Sequence, residues 1–341
     1  MRTLVFAAFV MALTTGGASL LAPQWEAAWF LAASSGTDIP APPRVGDARV
    51  EDLELAGVPT RAEIPAAGGR HPTIVLAHSF TPNGERDVRI DAAMRPLARL
   101  GIAVLIPRLD GFVSDRVEPD DVERLVDIFV AAADLPFVDP DRRALAGYSL
   151  SAGYALLAAA DERIARDVHF VLSVGGYTSA SSLFAALVSG EVPTADGIRT
   201  WHPDDWAVSL ARAELLRRIP AHVRRFFALA LQRCTFEEAT RLLHEEPAIY
   251  GALASLSPIA AAPRVRAPVL LLHGVDDPVV PDEETRALEV ALASATTVRS
   301  LQTTLLHHAN LTDVRGSIGR EGPDAAWAMV DAIAWALRRL E

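Results

Sequence analysis

Between residues 73 and 306, short apolar runs alternate with amphipathic segments, and that alternation leaves few architectures open to the chain. The runs fall at residues 73–77, 102–106, 143–146, 168–172 and 268–272, with a weaker one at 297–306. They are nearly continuous in apolar character, the pattern of strands buried on both faces, which is the habit of parallel sheets. Helical periodicity occupies residues 90–100, 121–133, 151–161, 282–292 and 324–340. Strand–helix order of this kind predicts an α/β fold with a doubly wound, mostly parallel sheet. Residues 49–64 alternate loosely about Ala56-Gly57 and predict a hairpin ahead of it. From about 181 to 263 the alternation lapses into helix-like segments alone, such as 206–218 and 236–243, which predicts a helical cap inserted over the carboxyl edge of the sheet.

The start of the chain reads differently. Arg2 leads into a stretch free of charge from Thr3 to Ala22, followed by Pro23, Trp25, Glu26 and Trp29, and then by the proline-rich linker Ile39-Pro40-Ala41-Pro42-Pro43. A positive start, an apolar run near the ~20 residues that span a bilayer, and aromatics beyond it suit an export signal or a membrane anchor. Residues 1–38 are accordingly expected to be a signal peptide or N-terminal anchor with the start of the linker. Residues 39–341 form the folded domain in this reading, exported to the cell envelope. Membrane association through residues 3–22 and cleavage after Ala18 both remain open.

Composition removes some functions. With 32 basic residues, all arginine, against 43 acidic ones, the net charge is −11, and no cationic run is present. Nucleic acid is not an expected partner, because binding it needs a concentrated positive face. The single Cys234 lacks the neighbours of a zinc site, and His244-Glu245-Glu246 has no second histidine four residues on, so no metal or dissociable cofactor is expected.

Gly147-Tyr148-Ser149-Leu150-Ser151 follows one predicted strand and opens a predicted helix. Small neighbours at such a strand–turn–helix junction permit the sharp turn that presents a serine hydroxyl at a sheet edge. Ser149 could equally be a helix cap. Downstream, the run at 268–272 leads into His273-Gly274-Val275-Asp276-Asp277-Pro278, and the last strand into Leu306-His307-His308-Ala309-Asn310. Serine, carboxylate and histidine thus follow one another, each at a strand exit, in the order Ser, Asp, His.

With these motifs the sequence resembles the α/β-hydrolase fold superfamily, its esterases, lipases and dienelactone-hydrolase-like members, from about Asp47 to the C-terminus. The resemblance implies a serine hydrolase working through an acyl-enzyme on an ester or related acyl bond of a small molecule. The pattern G-x-S-x-G makes Ser149 the nucleophile, although Ser151 stands at its second glycine. The pattern G-x-x-D-x-x-V-P places the acid on Asp277, leaving Asp276 its neighbour. His308, directly before Ala309 and Asn310, fits the family's base better than His307. The oxyanion hole falls on the amides of Leu150 and Phe80, the latter in His78-Ser79-Phe80, where Ser79 replaces the usual glycine. His78 and His273 read as structural histidines, and the glycosylation sequon at Asn310 as chance.

A second class of function stays open: a non-catalytic envelope binding protein of the same fold, with Ser79 and Ser151 marking a decayed site. In the cap, Phe184, Leu187, Trp201, Trp206, Phe226 and Phe227 are candidates for an acyl pocket or for the cap's own core. Arg217, Arg218, Arg224 and Arg225 read as a solvated face.

Overall fold

The computed structural model describes residues 22–308 and 323–340. A first helix, α1 (Ala22–Ser34), leads through the linker to the hairpin β1 (Ala48–Leu55) and β2 (Val58–Pro65). Its turn is Ala56-Gly57, both at positive φ (51° and 77°), as tight hairpins require. Then come β3 (His71–Ala77), α2 (Val88–Arg99), β4 (Ala103–Pro107), the short α3 (Asp110–Val113), α4 (Asp120–Ala132), β5 (Val138–Tyr148), α5 (Leu150–Ala159) and β6 (Val168–Val174). After the insertion the alternation resumes with β9 (Val269–Gly274), α11 (Asp282–Leu292), β10 (Val298–Thr303) and α12 (Pro323–Leu340).

Eight strands form one sheet in the order β1-β2-β4-β3-β5-β6-β9-β10, antiparallel at β1-β2 and β2-β4 and parallel elsewhere. From β3 the chain runs outward to β4 and then returns to place β5 on the other side of β3. That reversal opens a crevice at the carboxyl ends of β3 and β5, where doubly wound sheets hold their ligands. Register brings the ends together, with Ala77 beside Gly147, Tyr148 beside Val174, and Val174 beside Leu272.

The sheet divides two cores. Val75, Leu145, Val171 and Leu271 pack toward α4, α5 and the insertion, while Leu76, Ala146, Phe170 and Leu272 face α1, α2 and α12. The insertion carries α6 (Ala180–Ser189), α7 (Asp205–Arg218), α8 (Arg224–Ala230), α9 (Phe236–Glu245) and α10 (Pro247–Ser255). It is not wholly helical, because β7 (Glu191–Thr194) and β8 (Gly197–Thr200) pair as an antiparallel hairpin. Phe184, Leu187, Trp201 and Phe227 are buried in the first core, whereas Phe226 is exposed. Arg217 and Arg218 both hydrogen-bond Glu214.

Trp29 of α1 lies in the second core, and the nearby Trp25 indole donates to the Pro40 carbonyl at 3.1 Å. Residues 1–21, which hold most of the expected signal or anchor, lie outside the described residues, as does the sequon at Asn310. Among the described residues no helix is long and apolar enough to cross a membrane.

Candidate active site

Ser149 occupies the junction of β5 and α5 with φ 57° and ψ −135°, a conformation that side chains other than glycine rarely adopt. Such a residue stores roughly 1–3 kcal/mol of strain and persists only where its surroundings enforce it. Two contacts enforce it here. The Ser149 amide donates to the Val174 carbonyl at 2.7 Å, and Gly147 lets the start of α5 fold back onto the strand. A Cβ on Gly147 would stand 2.3 Å from the Ser151 carbonyl oxygen and 2.8 Å from Ala152 Cα. Ser149 stands at the N-cap position of α5, but its hydroxyl makes no capping bond to that helix.

Ser151, at the family's second glycine, is wholly buried and has work for its hydroxyl. Its Oγ lies 2.7 Å from the Ala77 carbonyl and accepts the Tyr148 amide at 3.1 Å. The elbow is thereby tied to the end of β3, which leads directly into the loop of Ser79 and Phe80. Tyr148 ties the same loop from the other side through a hydrogen bond with the Ser79 backbone, and burial pushes its phenol up to about 12. Among the described residues neither the Leu150 nor the Phe80 amide donates to a carbonyl. The first amides of a helix have no intrahelical acceptor, so Leu150 is free to meet an anionic oxygen.

Asp277, on the turn after β9, and His308, beyond β10, are paired. His308 Nδ1 lies 3.0 Å from Oδ1 and 2.9 Å from Oδ2 of Asp277. A carboxylate only accepts, so Nδ1 carries the proton and Nε2 is left to take one. The Val279 and Val280 amides donate to Asp277 Oδ1 at 2.7 and 3.0 Å. Burial by itself would raise the Asp277 pKa, but the hydrogen bond and charge of His308 outweigh it and hold the carboxyl below its ordinary range. The cap also grips this turn: the Trp201 indole donates to the Asp277 carbonyl at 3.2 Å and the Asp204 amide to the Pro278 carbonyl at 2.8 Å.

Gly175, after β6 and at φ +59°, lies where the three predicted residues meet. A Cβ there would stand 3.4 Å from Asp277 Oδ2, 3.9 Å from His308 Nδ1 and 3.9 Å from the Ser149 amide nitrogen. Asp277 and His308 are hydrogen-bonded to each other and brought up to Ser149, while the His308 hydrogen bonds go to Asp277 alone. A nucleophile–base bond is often long before substrate binds. His307 is exposed one residue earlier and lines the same cavity.

Two further histidines have both ring nitrogens occupied. His78 Nε2 accepts the Leu109 amide at 2.9 Å and Nδ1 donates to the Ser79 carbonyl at 2.8 Å. His273 Nε2 donates to the Val280 carbonyl at 2.8 Å, and Thr285 meets Nδ1. Burial lowers both pKa values and keeps these rings neutral. Phe80 is held edge-on between Phe112 and Trp206, with ring centroids 5.0 and 5.9 Å away. Gly175 is a contributor that the sequence did not single out, although a glycine pair shortly after the predicted strand at 168–172 was an available signal; Trp201 had been named only for the acyl pocket or the cap's own core. Among the described residues no cluster of histidine, cysteine and carboxylate side chains is placed to hold a metal ion.

No protein-family model and no curated protein sequence matches the chain. Solved structures do match it in shape. The acylaminoacyl peptidase of Pyrococcus horikoshii superposes with a TM-score of 0.55 at 15% identity, over 86% of this chain and 41% of the peptidase. A puromycin-hydrolyzing peptidase from Mycobacterium tuberculosis gives 0.52 at 20% identity, over 87% of this chain and 41% of its own. A thermophilic carboxylesterase cloned from a metagenomic library gives 0.54 at 17% identity, over 96% of this chain and 99% of the esterase. The chain thus spans well under half the length of these peptidases and nearly all of the esterase. Identities this low establish the fold, and the chain has the α/β-hydrolase fold.

Proposed function

We propose that the protein is a serine hydrolase that cleaves an ester of a carboxylic acid through an acyl-enzyme on Ser149. The observation that carries this reading is the pairing of His308 Nδ1 with the buried Asp277 carboxylate beside a strained Ser149. A buried carboxylate on one ring nitrogen fixes the tautomer and supports the imidazolium that forms when the other takes a proton. His308 Nε2 then removes the Ser149 proton as Oγ attacks the acyl carbon, and the Leu150 and Phe80 amides receive the oxyanion. Collapse of the intermediate transfers the proton from His308 to the departing alkoxide. Water, deprotonated by the same ring, releases the acid and restores Ser149.

The solved peptidases leave an amide substrate as the neighbouring reading, and the near full-length match to a carboxylesterase favours the ester. Against a decayed site stands Ser151, whose hydroxyl is bonded into the elbow rather than filling a hole. The test is hydrolysis of a butanoyl p-nitrophenyl ester by the wild type and by Ser149→Ala. The variant is expected to lose at least about 10³-fold in kcat while keeping its melting temperature. Equal turnover by both proteins overturns the proposal.

A further inference from the structure

Packed interiors contain few voids larger than a water molecule, yet a cavity of about 700 Å³ opens at Ser149 and continues into the second core. Its shape follows from the sheet. On the face toward α1, α2 and α12, the central strand β5 presents the small Ala144 and Ala146, and then Tyr148 at the mouth of the cavity beside Ser149. The strands on either side present Ile74 and Leu76 from β3 and Phe170 and Leu172 from β6. Between the two rows of large residues, Ala144 and Ala146 make a trough along β5 that leads back from Tyr148 and Ser149. Phe30 of α1, Met94 of α2 and Leu337 of α12 line it from the helix side.

We infer that this trough is a tunnel for the long, unbranched acyl chain of the substrate, an inference that rests on the ester-hydrolase reading and gives it a substrate class. An apolar cavity of this size stays dry or takes an apolar ligand. The charged side chains of Asp and Arg among its lining are Arg89 in the first turn of α2, Asp115 just after α3 and Asp204 at the N-cap of α7, and none of them belongs to the sheet floor. Arg89 is moreover paired with Asp87. Length fixes the class. Five residues separate Ala144 from Ser149, about 16 Å at the rise of a strand. An extended chain advances about 1.2 Å per backbone bond, so the trough takes an acyl group of about 12 carbons.

The experiment is a series of p-nitrophenyl esters from butanoyl to hexadecanoyl. Each buried methylene is worth roughly fourfold in affinity at most, so kcat/KM should rise at least 10²-fold from butanoyl to about dodecanoyl and then level off. Ala144→Phe plugs the far end and should lower the dodecanoyl-to-butanoyl ratio at least tenfold. Ala146→Phe lies nearer Ser149 and should shift the optimum to shorter chains still. Should either fail to fold, Ala93→Trp narrows the tunnel from the more accessible side of α2. In parallel, binding of a fluorescent 12-carbon fatty acid to Ser149→Ala reads the tunnel without catalysis, and Ala144→Phe in that background should weaken it at least tenfold. A kcat/KM that is flat or falling beyond butanoyl overturns the tunnel and leaves the hydrolase reading standing. Failure to turn over any ester, with the fatty acid still bound and displaced by Ala144→Phe, overturns the hydrolase reading and upholds the tunnel.

Discussion

Replacing Ser151 by glycine restores the second glycine of the pattern G-x-S-x-G, and the structure predicts that this restoration does harm. Ser151 is fully buried, its Oγ lies 2.7 Å from the Ala77 carbonyl, and it accepts the Tyr148 amide at 3.1 Å. Removing the hydroxyl leaves two buried backbone groups short of a partner, at about 1–3 kcal/mol each. The Ala77 carbonyl can lean on its strand neighbours, so we take the total as about 2–4 kcal/mol. For a chain of this size that is a fall of about 3–6 °C in melting temperature. Glycine near a helix start adds up to about 1 kcal/mol over alanine, so Ser151→Gly should be no more stable than Ser151→Ala. The loop after Ala77 carries the Phe80 amide, and loss of an oxyanion donor costs up to 10²–10³-fold. Loosening it should lower kcat about tenfold with little change in KM. Steady-state kinetics on a butanoyl ester and thermal unfolding of both variants give the comparison. If Ser151→Gly equals or exceeds the wild type in kcat and melting temperature, the serine is a relic and the bracing argument fails.

Other perturbations follow from the same geometry. His308→Ala should approach the loss seen for Ser149→Ala, and the double variant should lose little more, because such groups act as a unit; His307→Ala should cost far less in kcat. A stably folded but inactive His307→Ala would reverse the assignment. Gly175→Ala puts a Cβ 3.4 Å from Asp277 Oδ2 at φ +59°, so kcat should fall at least tenfold for a loss of only about 1–2 kcal/mol in stability; an active variant would show that the three residues tolerate a side chain between them. His78 and His273 have pKa values lowered by burial from about 6.5, so the unfolded chain binds protons that the folded rings refuse. Their contribution is complete above about pH 6.5 and is lost on acidification toward their folded pKa values, at up to about 1.4 kcal/mol per pH unit for each ring. Melting temperatures measured from pH 7.5 to 5 should fall, and His273→Gln should flatten that slope; an unchanged slope in the variant would refute the assignment.

Much of this was legible because it is local. Ala56-Gly57 signals a tight turn from residue type alone, and the six apolar runs each became strands of the sheet, within a few residues at their ends. Other features depend on partners distant in sequence. Helix α1 is buried over most of its surface, against α2 and α12, so it carries no single apolar stripe to announce it. The β7–β8 hairpin is largely exposed, and β8 entirely so, which leaves no alternation for a periodicity to register. Strand β5 begins at Val138, five residues before the predicted run, and takes in Asp139, Pro140 and Asp141, residue types that strands disfavour. At the candidate site the motifs named Ser149, Asp277 and His308, but the choice between adjacent histidines turns on His308 at φ 55°, a backbone conformation that composition does not specify. Ser151 looked like a departure from pattern because its acceptor, Ala77, lies 74 residues away.

The central claim is that Ser149 is an activated nucleophile, and covalent labelling reaches it without knowledge of the substrate. The wild type, Ser149→Ala and Asp277→Asn are treated with a small fluorophosphonate, and intact mass and peptide mapping follow the adduct. One adduct per chain is expected, on Ser149 of the wild type, absent from Ser149→Ala and at least 10²-fold slower in Asp277→Asn, where the His308 tautomer is no longer fixed. No adduct on folded wild-type protein, or an equal adduct on Ser149→Ala, would contradict the account.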